Sequence, residues 1–335
     1  MNRLATVAIV AAFAVFAERG AVADPITIRV AMPAPPSTPF NTHAITPWAR
    51  DVERAAAGAI EVKVFTGTAL ADLRNSYDRT LNGVADVGYG PLGPISSQFP
   101  NTQVAELPFI THDVNEAGLA LWGLYTSGIL TDEYERVRVL ALFHFPPSNI
   151  FSKKPIRRIE SLQGMRLSVN GKMIGEVVKR LGASPVSIAP SEIYQSFARG
   201  LIDGVAASWA ALATYKLDEE ARFAVEAPLG AGMGYVVMNK ESYARLPDVA
   251  KQAFDRNSGR LLVVRLGEAA AMTDAAGRER VAKAHPDSIL TLDAKELERW
   301  RERARPLLDE WANTTPNGAA VLKAYLAEVE KMRTK

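Results

Sequence analysis

The segment from Leu162 to Trp209 constrains the fold of this chain more than any other part of the sequence. Its apolar residues first alternate with polar ones and then recur at helical spacing, and the exchange repeats to give the order β-α-β-α-β. Strands joined by such crossovers form a parallel sheet, and open parallel sheets bind their ligands beyond the carboxyl ends of the strands. The sequence therefore predicts an α/β fold with a binding site at one edge of a sheet.

The first strand of this segment is expected from about Met165 to Val169. Met165, Leu167 and Val169 alternate with two polar residues and so face a core. Arg166 and Ser168 share the opposite face, which makes both of them candidates for contact with a ligand.

Short motifs along the whole chain carry a family resemblance. In chain order they read VAMPAPPSTPF, VKVFTGTAL, NGVADVGYGP, AELPFI, GMRLS, GASPV, SEIY, GLIDG and MNKESYARLPDVAKQAFD. Together they resemble the periplasmic solute-binding proteins of TRAP (tripartite ATP-independent periplasmic) transporters, of the dicarboxylate-binding type. The resemblance implies a two-lobe periplasmic-binding-protein fold with a hinge, a small-molecule ligand between the lobes, no cofactor, and a monomer that delivers the ligand to TRAP-type membrane permease subunits.

The amino terminus has the layout of a secretory signal. Arg3 precedes the apolar stretch LATVAIVAAFAVF, and the small-x-small pattern at 21–23 marks a cleavage site. A membrane anchor is the alternative, but the stretch is shorter than the roughly 20 residues of a spanning helix, and Glu18 and Arg19 interrupt it. The chain has no cysteine, which excludes a lipid-attached form. Residues 1–23 are therefore predicted to be a signal peptide, and the mature protein is expected in a Gram-negative periplasm, not embedded in a membrane.

The length of 335 residues with 48% hydrophobic composition exceeds a typical single domain, so two lobes are expected. The first lobe is predicted from 24–147, completed by about 233–270. The second is predicted from 148–232, completed by about 271–335. Between Pro247 and about Ala284 a helical pattern continues without proline over roughly 35 residues, or about 50 Å. The resemblance implies a long helix here that spans both lobes.

Composition and motif searches exclude other classes of function. The 39 basic and 37 acidic residues give a formal net charge of +2, which argues against a nucleic-acid partner. The four histidines show no metal-ligand spacing, and the sequence has no nucleophile elbow, no P-loop and no cysteine nucleophile. No enzymatic activity, metal site or cofactor is predicted.

Four of the candidate ligand contacts lie at or just after the ends of two strands of the first lobe. Ser37 and Thr38 lie where the first strand gives way to a helix, and they either present hydroxyl and N–H groups to a ligand or only cap that helix. Tyr89 and Gly90 end an apolar strand, where an aromatic wall and a close approach of backbone to ligand are expected. The segment 72–81 between these two regions is expected to be helical.

The second lobe departs from the family at the positions that hold a carboxylate. The resemblance implies an arginine at the end of the strand GLKIRV, but GMRLSV places Ser168 there and Arg166 at the lysine position. The asparagine of the family motif DGQENP falls at Ala207, and a second arginine of some members falls near Ser148. The chain is thus an atypical member that lacks the usual carboxylate-binding arginine.

Two arrangements compensate for this loss. Either Arg166 reaches back from its strand into the cleft, or the pocket is neutral, which is the favoured arrangement. Trp209 matches the tryptophan of the motif DGxxxPWE in a subset of the family, and core packing is its alternative role. The neutral pocket is built from hydroxyl, amide and aromatic groups, namely Tyr89, Phe145, Ser148, Asn149, Ser168, Asn170 and Trp209.

The predicted function is capture of a small polar organic molecule, either an organic acid or a neutral or aromatic compound, by closure of two lobes. The alternative is a secreted sensor that presents the bound solute to a membrane receptor, because the same closure serves both purposes.

Overall fold

The computed structural model describes residues 24–111 and 113–334, so the predicted signal peptide lies outside the described residues. Eleven strands are found in this part of the chain. In chain order they are β1 Ile26–Met32, β2 Ile60–Thr66, β3 Val87–Pro91, β4 Val137–His144, β5 Asn149–Ser152, β6 Arg166–Ser168, β7 Ser184–Val186, β8 Gly204–Ala207, β9 Phe223–Glu226, β10 Met233–Asn239 and β11 Ile289–Thr291.

The described residues also form twelve α-helices, a π-helix at Phe40–Ile45 and five 3-10 segments. The α-helices are α1 Thr46–Ala55, α2 Ser76–Leu81, α3 Val114–Thr126, α4 Lys172–Arg180, α5 Pro190–Ala198, α6 Trp209–Thr214, α7 Lys240–Ala244, α8 Asp248–Asn257, α9 Arg260–Ala284, α10 Ala294–Ala304, α11 Pro306–Thr314 and α12 Gly318–Arg333. The 3-10 segments are Gly93–Gln98, Thr102–Glu106, Thr131–Tyr134, Ile159–Leu162 and Leu217–Glu219. Within this part of the chain no helix has both the length and the apolar character that crossing a membrane requires.

The first lobe is built on a five-stranded sheet in the order β2-β1-β3-β10-β4. Strand β1 pairs in parallel with β2 and β3, whereas β10 runs antiparallel to β3 and β4. One face of this sheet packs on α1, α8 and the start of α9, and residues of this core include Trp48, Val52 and Phe254. The other face packs on α3 and α12, with Leu121 and Tyr325 in its core. Helices therefore cover both faces, as expected for a largely parallel sheet.

The second lobe is built on a six-stranded sheet in the order β11-β9-β5-β8-β6-β7. Strand β6 pairs in parallel with both β7 and β8, so the predicted order β-α-β-α-β is confirmed. Leu167 of β6 is fully buried and packs with Val177 and Val178 of α4. The apolar alternation of the strand and the helical stripe that follows it thus meet in one core.

The lobes are joined by crossing segments that pair with one another. The backbone N–H of Phe145 donates to the Gly232 carbonyl at 2.9 Å, and that of Ser148 donates to the Gly230 carbonyl at 2.9 Å. The N–H of Phe109 adds a third contact, to the Pro228 carbonyl at 2.8 Å. The predicted two-lobe α/β architecture with a hinge is confirmed.

The long helix that the near-continuous pattern predicts from Pro247 to about Ala284 is divided in two. The helical pattern breaks into α8 and α9 because Ser258 is extended and Gly259 adopts a positive φ of 64°. The N–H of Gly259 leaves the helix and donates to the Leu140 carbonyl of β4 at 2.7 Å. Helix α9 still spans both lobes, since its first half packs in the core of the first lobe and Val281 packs in that of the second.

The prediction that residues 271–335 complete the second lobe fails at the carboxyl terminus. Strand β11 and helix α10 belong to the second lobe, where Trp300 is fully buried. Helix α12 instead returns to the first lobe, because Val321, Tyr325 and Val329 form an apolar stripe that packs on α3.

Candidate functional site

A cavity of about 650 Å³ opens between the lobes at the carboxyl ends of β6, β7 and β8. Arg74 and Pro94 line it from the first lobe, and Ser168, Asn170 and Ala207 are among the residues that line it from the second. Its volume falls in the range of about 300–1,000 Å³ that is typical of small-molecule sites. The place agrees with the rule for open parallel sheets, in which ligands bind beyond the strand ends.

Among the polar side chains of this cavity, Ser168 and Asn170 stand at the end of β6. Ser168 is 1% exposed, and its hydroxyl has no hydrogen-bond partner among the described residues. The side-chain amide of Asn170, two residues further along the same wall, has none either among them. Both groups are therefore free to form hydrogen bonds to a ligand in the cavity.

The charges around this cavity are few. Arg74 and Lys172 line it, and neither side chain forms a salt bridge or hydrogen bond within residues 24–111 and 113–334. Glu176 also lines it, and its carboxylate lies 4.0 Å from Lys179. Two cations and one carboxylate leave the lining with a single excess positive charge.

The remaining lining of this cavity is mostly apolar. Besides Gly171, Gly175 and Ser187, it consists of aliphatic, proline and tyrosine side chains, namely Pro94, Val169, Pro185, Ile188, Ile193, Val205, Ala206, Ala207, Ala211, Tyr215 and Leu217. The site therefore offers an apolar space for the body of a ligand, next to a small set of polar and positively charged groups.

The lobe-1 strand ends are filled by aromatic rings. Tyr89 stacks on Phe143 at 5.5 Å between ring centroids, and Phe40 contacts Tyr89, Phe143 and Phe145 at 5.4–5.9 Å. Tyr89 is buried, and burial raises the pKa of its hydroxyl far above the ordinary value. Tyr89 and Phe145 are thus brought together, but among the described residues they do not line the 650 Å³ cavity.

Gly90 has a packing role in this structure. A Cβ atom at this position would meet the Tyr235 hydroxyl at 2.5 Å, so the space beside its backbone is already occupied. Its predicted close approach to a ligand stays a prediction.

Ser37 and Thr38 lie in the loop that follows β1. The Thr38 hydroxyl donates to the Pro35 carbonyl at 3.0 Å, and Ser37 is exposed. The following π-helix has Pro39 as its N-cap residue and no side-chain capping bond. The loop therefore presents its hydroxyl groups at the first-lobe strand ends without using either one as an N-cap.

Asn149 and Trp209 line a different cavity, of about 420 Å³, between the hinge segments and α9. Trp209 is 2% exposed, and its ring lies 4.8 Å from that of Phe151. Its packing is therefore that of a core residue with one edge on this second cavity. Ser148, one residue before Asn149, is buried at the hinge, and its hydroxyl has no partner among the described residues.

Asp274 of α9 also borders this second cavity, where it accepts a hydrogen bond from the N–H of Ala210 at 3.1 Å. Burial raises the pKa of Asp274 to about 6, against the lowering effect of its bonds to backbone N–H groups. Arg278 and Glu226 pair at 2.7 Å on the same side. The polar groups of this cavity are thus largely engaged with one another and with the start of α6.

Arg166 lies apart from the other predicted contact residues. Its Nε donates to Asp203 at 3.0 Å and one Nη donates to the Gly200 carbonyl at 2.8 Å. These partners hold the guanidinium at the amino end of β6, whereas Ser168 and Asn170 follow the carboxyl end. Arg166 is not among the residues that line the cavity. It is the first residue of the three-residue strand β6, whereas Ser168, the last residue of that strand, borders the cavity.

Residues 24–111 and 113–334 offer no group of His, Cys, Asp and Glu side chains that could hold a metal ion. His144, at the end of β4, is buried with no hydrogen-bond partner for either ring nitrogen in this part of the chain. Burial lowers the pKa of His144 to about 4, so its imidazole is neutral at pH 7.

Arg74 and Lys172 were missed by the sequence analysis. The segment 72–81 reads as one helix, but α2 begins at Ser76, and Arg74 lies in the turn before it. The side chain of Asp72 caps this turn by accepting from the backbone N–H of Arg74 at 2.8 Å and of Asn75 at 2.9 Å. Asp72 lies two residues before Arg74 and three before Asn75, and an aspartate at this spacing commonly accepts hydrogen bonds from the backbone N–H groups of a turn. This spacing is the signal that could have revealed the turn.

Comparisons with known proteins agree with this architecture. The chain is similar to a TRAP solute-binding protein from Rhodoferax ferrireducens T118, solved with copurified benzoate, at 25% identity and a TM-score of 0.83, covering 92% of this chain and 99% of that one. It is also similar to a TRAP periplasmic solute-binding protein from Bordetella bronchiseptica with bound (R)- and (S)-mandelate, at 26% identity and a TM-score of 0.80, covering 92% and 100%.

Among curated proteins, the C4-dicarboxylate-binding periplasmic protein DctP of Rhodobacter capsulatus is 24% identical over 325 residues, which are 92% of this chain and 93% of that protein. Residues 30–314 match the family described as bacterial extracellular solute-binding protein, family 7. These relatives are solute-binding proteins, which favours the transport role over the sensor alternative. The chain therefore belongs to extracellular solute-binding protein family 7, the solute-binding proteins of TRAP transporters.

Proposed function

We propose that this solute-binding protein captures an organic acid with an apolar or aromatic body in the 650 Å³ interlobe cavity. The observation that carries the proposal is the composition of that cavity, in which apolar side chains surround the unpartnered polar groups of residues such as Ser168 and Asn170. The lining has one excess positive charge, which suits a monoanion better than a dianion or a cation.

Two similar solved proteins support this ligand class, since one holds benzoate and the other holds mandelate. The lobes line the cavity together, so a ligand that contacts both of them stabilises the closed arrangement more than the open one. We further propose that the mature protein is a periplasmic monomer that delivers its ligand to TRAP-type membrane permease subunits.

A thermal-shift screen of the mature protein tests the ligand class. Benzoate, 3-hydroxybenzoate and (R)-mandelate serve as aromatic acids, succinate as a dicarboxylate, and benzamide as a neutral analogue. An acid present at 100 times its dissociation constant adds about 2.7 kcal/mol to the free energy of unfolding and raises the melting midpoint. The absence of any response to the aromatic acids, with calorimetry also negative, would contradict the proposed class.

A pair of cavity-filling variants tests the place of binding. Ala211 of α6 lines the 650 Å³ cavity, and Ala275 of α9 lines the 420 Å³ cavity. We expect Ala211→Phe to lose affinity for the acid found in the screen, because the larger ring occupies space needed by the ligand. Ala275→Phe is the matched control and keeps its affinity. The reverse result would move the ligand to the cavity beside α9.

A further inference from the structure

We propose that the carboxylate of the ligand is held by Arg74 of the first lobe, so that the charged anchor lies across the cleft from the strand that carries Ser168. This inference rests on the proposed function and adds the residue that selects for an anion. It follows from an account of the cations near the cavity and from the surroundings of Arg74 itself.

The cations that line the cavity are Arg74 and Lys172. Arg166 lies on β6, the strand that also carries Ser168. Asp203 and the Gly200 carbonyl already bind its guanidinium, at the end of β6 far from the cavity. No arginine of the second lobe is therefore available at the strand ends that border the cavity, within the residues that the structure describes.

The backbone of Arg74 is fixed while its side chain is unengaged. Asp72 accepts hydrogen bonds from the N–H groups of Arg74 and Asn75, and it also accepts from the Asn75 side chain at 3.1 Å. The guanidinium has no salt bridge or hydrogen bond in the described part of the chain, although it lines the cavity together with Pro94. An organised turn with an unpaired guanidinium is well suited to bind an incoming anion.

The chemistry distinguishes Arg74 from Lys172. A guanidinium presents two parallel N–H donors that match a carboxylate, whereas an ammonium group acts as a point charge without that geometry. Ser168 and Asn170 lie on the opposite wall and supply neutral hydrogen bonds. A carboxylate bonded to Arg74 while the rest of the ligand contacts Ser168 would link the two lobes, so loss of Arg74 would weaken closure as well as charge recognition.

Isothermal titration with benzoate, 3-hydroxybenzoate and (R)-mandelate tests this role. The variants are Arg74→Gln, Lys172→Gln and the control Arg79→Gln, an exposed arginine of α2 outside the cavity lining. We expect Arg74→Gln to weaken binding of the acids about 10- to 100-fold, as for loss of a charge-assisted pair. Arg79→Gln binds like the wild type, and Lys172→Gln loses less affinity than Arg74→Gln.

Two further measurements sharpen the test. Any affinity of the wild type for benzamide should be unchanged in Arg74→Gln, because the neutral amide has no carboxylate for the guanidinium. The double variant Arg74→Gln with Ser168→Arg should regain affinity for the acids, because it moves the fork to the second lobe. Melting midpoints without ligand confirm that each variant is folded.

The outcomes separate this inference from the proposed function. If the wild type binds none of the three acids, the proposed ligand class is overturned together with the anchor. If the wild type binds an acid and Arg74→Gln binds it equally well, the ligand class stands and the role of Arg74 is overturned. A larger loss in Lys172→Gln than in Arg74→Gln also overturns it, in favour of the lysine.

Discussion

Each lobe pairs an arginine of one strand with an aspartate through the same atoms, but the two lobes bury the aspartate to different depths. In the first lobe Arg29 of β1 donates from its backbone N–H and from Nε to Asp86, both at 2.9 Å. In the second lobe Arg166 of β6 donates in the same way to Asp203, at 2.9 and 3.0 Å. The atoms that form the bonds are identical in the two lobes.

The neighbouring glycines repeat as well. Gly83 and Gly200 each lie three residues before the aspartate, each has a φ of 71°, and each carbonyl accepts from the arginine at 2.8 Å. The motif Gly-x-x-Asp therefore supplies a left-handed turn that directs both a carbonyl and a carboxylate to one guanidinium. This repeat shows that a strand arginine that meets such a motif is a structural partner in either lobe.

The difference lies in the surroundings of the carboxylate. The Asp86 side chain is fully buried and also accepts from the Ser242 hydroxyl at 2.6 Å and from Arg245 at 2.7 Å. The Asp203 side chain is 40% exposed, and among the described residues no side chain other than that of Arg166 donates to it. The first-lobe carboxylate therefore lies buried among donors from three side chains, whereas the second-lobe carboxylate stays partly exposed and pairs with one arginine.

The largest expected effect is loss of the buried carboxylate. Asp86→Asn should lower the free energy of unfolding by about 3 kcal/mol, because it leaves two arginines without their charged partner. Burial alone raises the pKa of Asp86, but hydrogen bonds from Arg29 and Ser242 outweigh it and hold that pKa below its ordinary value. The stabilisation is therefore present above about pH 4 and declines as the pH falls further. Urea unfolding at pH 7 measures the loss.

Asp78→Asn is the matched control for this variant, since Asp78 is an exposed residue of α2 in the same lobe. Equal unfolding midpoints for Asp86→Asn and Asp78→Asn would remove the buried network from the account of first-lobe stability.

A second difference between the lobes is the packing at their strand ends, which is filled in the first lobe and open in the second. Gly234 of β10 lies against the ring of Phe143, and a Cβ atom there would overlap that ring. We expect Gly234→Ala to cost about 1–3 kcal/mol of stability through overpacking. Gly232→Ala is the control, since its nearest neighbour is a ring carbon of Phe145 at 3.9 Å. Melting midpoints of the two variants test this expectation. Similar midpoints would show that the aromatic cluster accommodates the added methyl group without loss of stability.

The attachment of α9 also differs between the lobes. Leu262 and Leu266 fix its first half in the apolar core of the first lobe, whereas Asp274 bonds its second half to the start of α6. Because burial raises the pKa of Asp274 to about 6, the folded state holds a proton that the unfolded state releases near pH 4. Stability due to this group therefore falls as the pH rises from about 4 to about 6 and stays low above that.

Asp274→Asn should remove this dependence and raise the stability at pH 7 by on the order of 1 kcal/mol. Melting midpoints of both proteins between pH 4.5 and 8 test it. Two profiles that stay parallel over this range would show that the carboxyl group of Asp274 does not titrate there.

The smallest effect is expected from the exposed pair. Arg166→Gln should destabilise the protein less than Asp86→Asn does, since solvent replaces most of what the exposed guanidinium gains. Its affinity for an organic acid should equal that of the wild type, because Arg166 is bound to Asp203 outside the cavity lining. Calorimetry with benzoate measures this. A loss of affinity similar to that of Arg74→Gln would mean that Arg166 leaves Asp203 and reaches the cleft, as one of the sequence hypotheses held.

The sequence was sufficient to predict the parallel second-lobe sheet because periodicity separates strand from helix locally. Leu167 faces the core and Ser168 the cleft, as the alternation indicates. The sequence could not show that Arg166 pairs with Asp203, since the two residues are 37 positions apart along the chain. The motif Gly-x-x-Asp is present in the sequence at both Gly83–Asp86 and Gly200–Asp203. Its structural role could not be predicted, because the sequence does not show which arginine each motif binds.

Two further features were not predicted because periodicity does not report them. The break before α9 depends on Gly259 donating to Leu140, a contact between segments far apart in the chain. Arg74 was assigned to a helix, although Asp72 holds it in a turn at the edge of the cavity. A ligand site at the meeting of two lobes is composed of such turns, whose direction is set by tertiary packing and not by periodicity.

The central claim is that the ligand binds between the lobes and favours one arrangement of them. The chain has no cysteine, so Asp78→Cys and Lys179→Cys, at exposed positions of α2 and α4, place one spin label on each lobe. The distance between the labels can then be measured by pulsed electron spin resonance with and without an acid whose binding calorimetry has established. The account predicts that saturating acid converts the distribution to a single shorter distance. An unchanged distribution with the acid bound would contradict it.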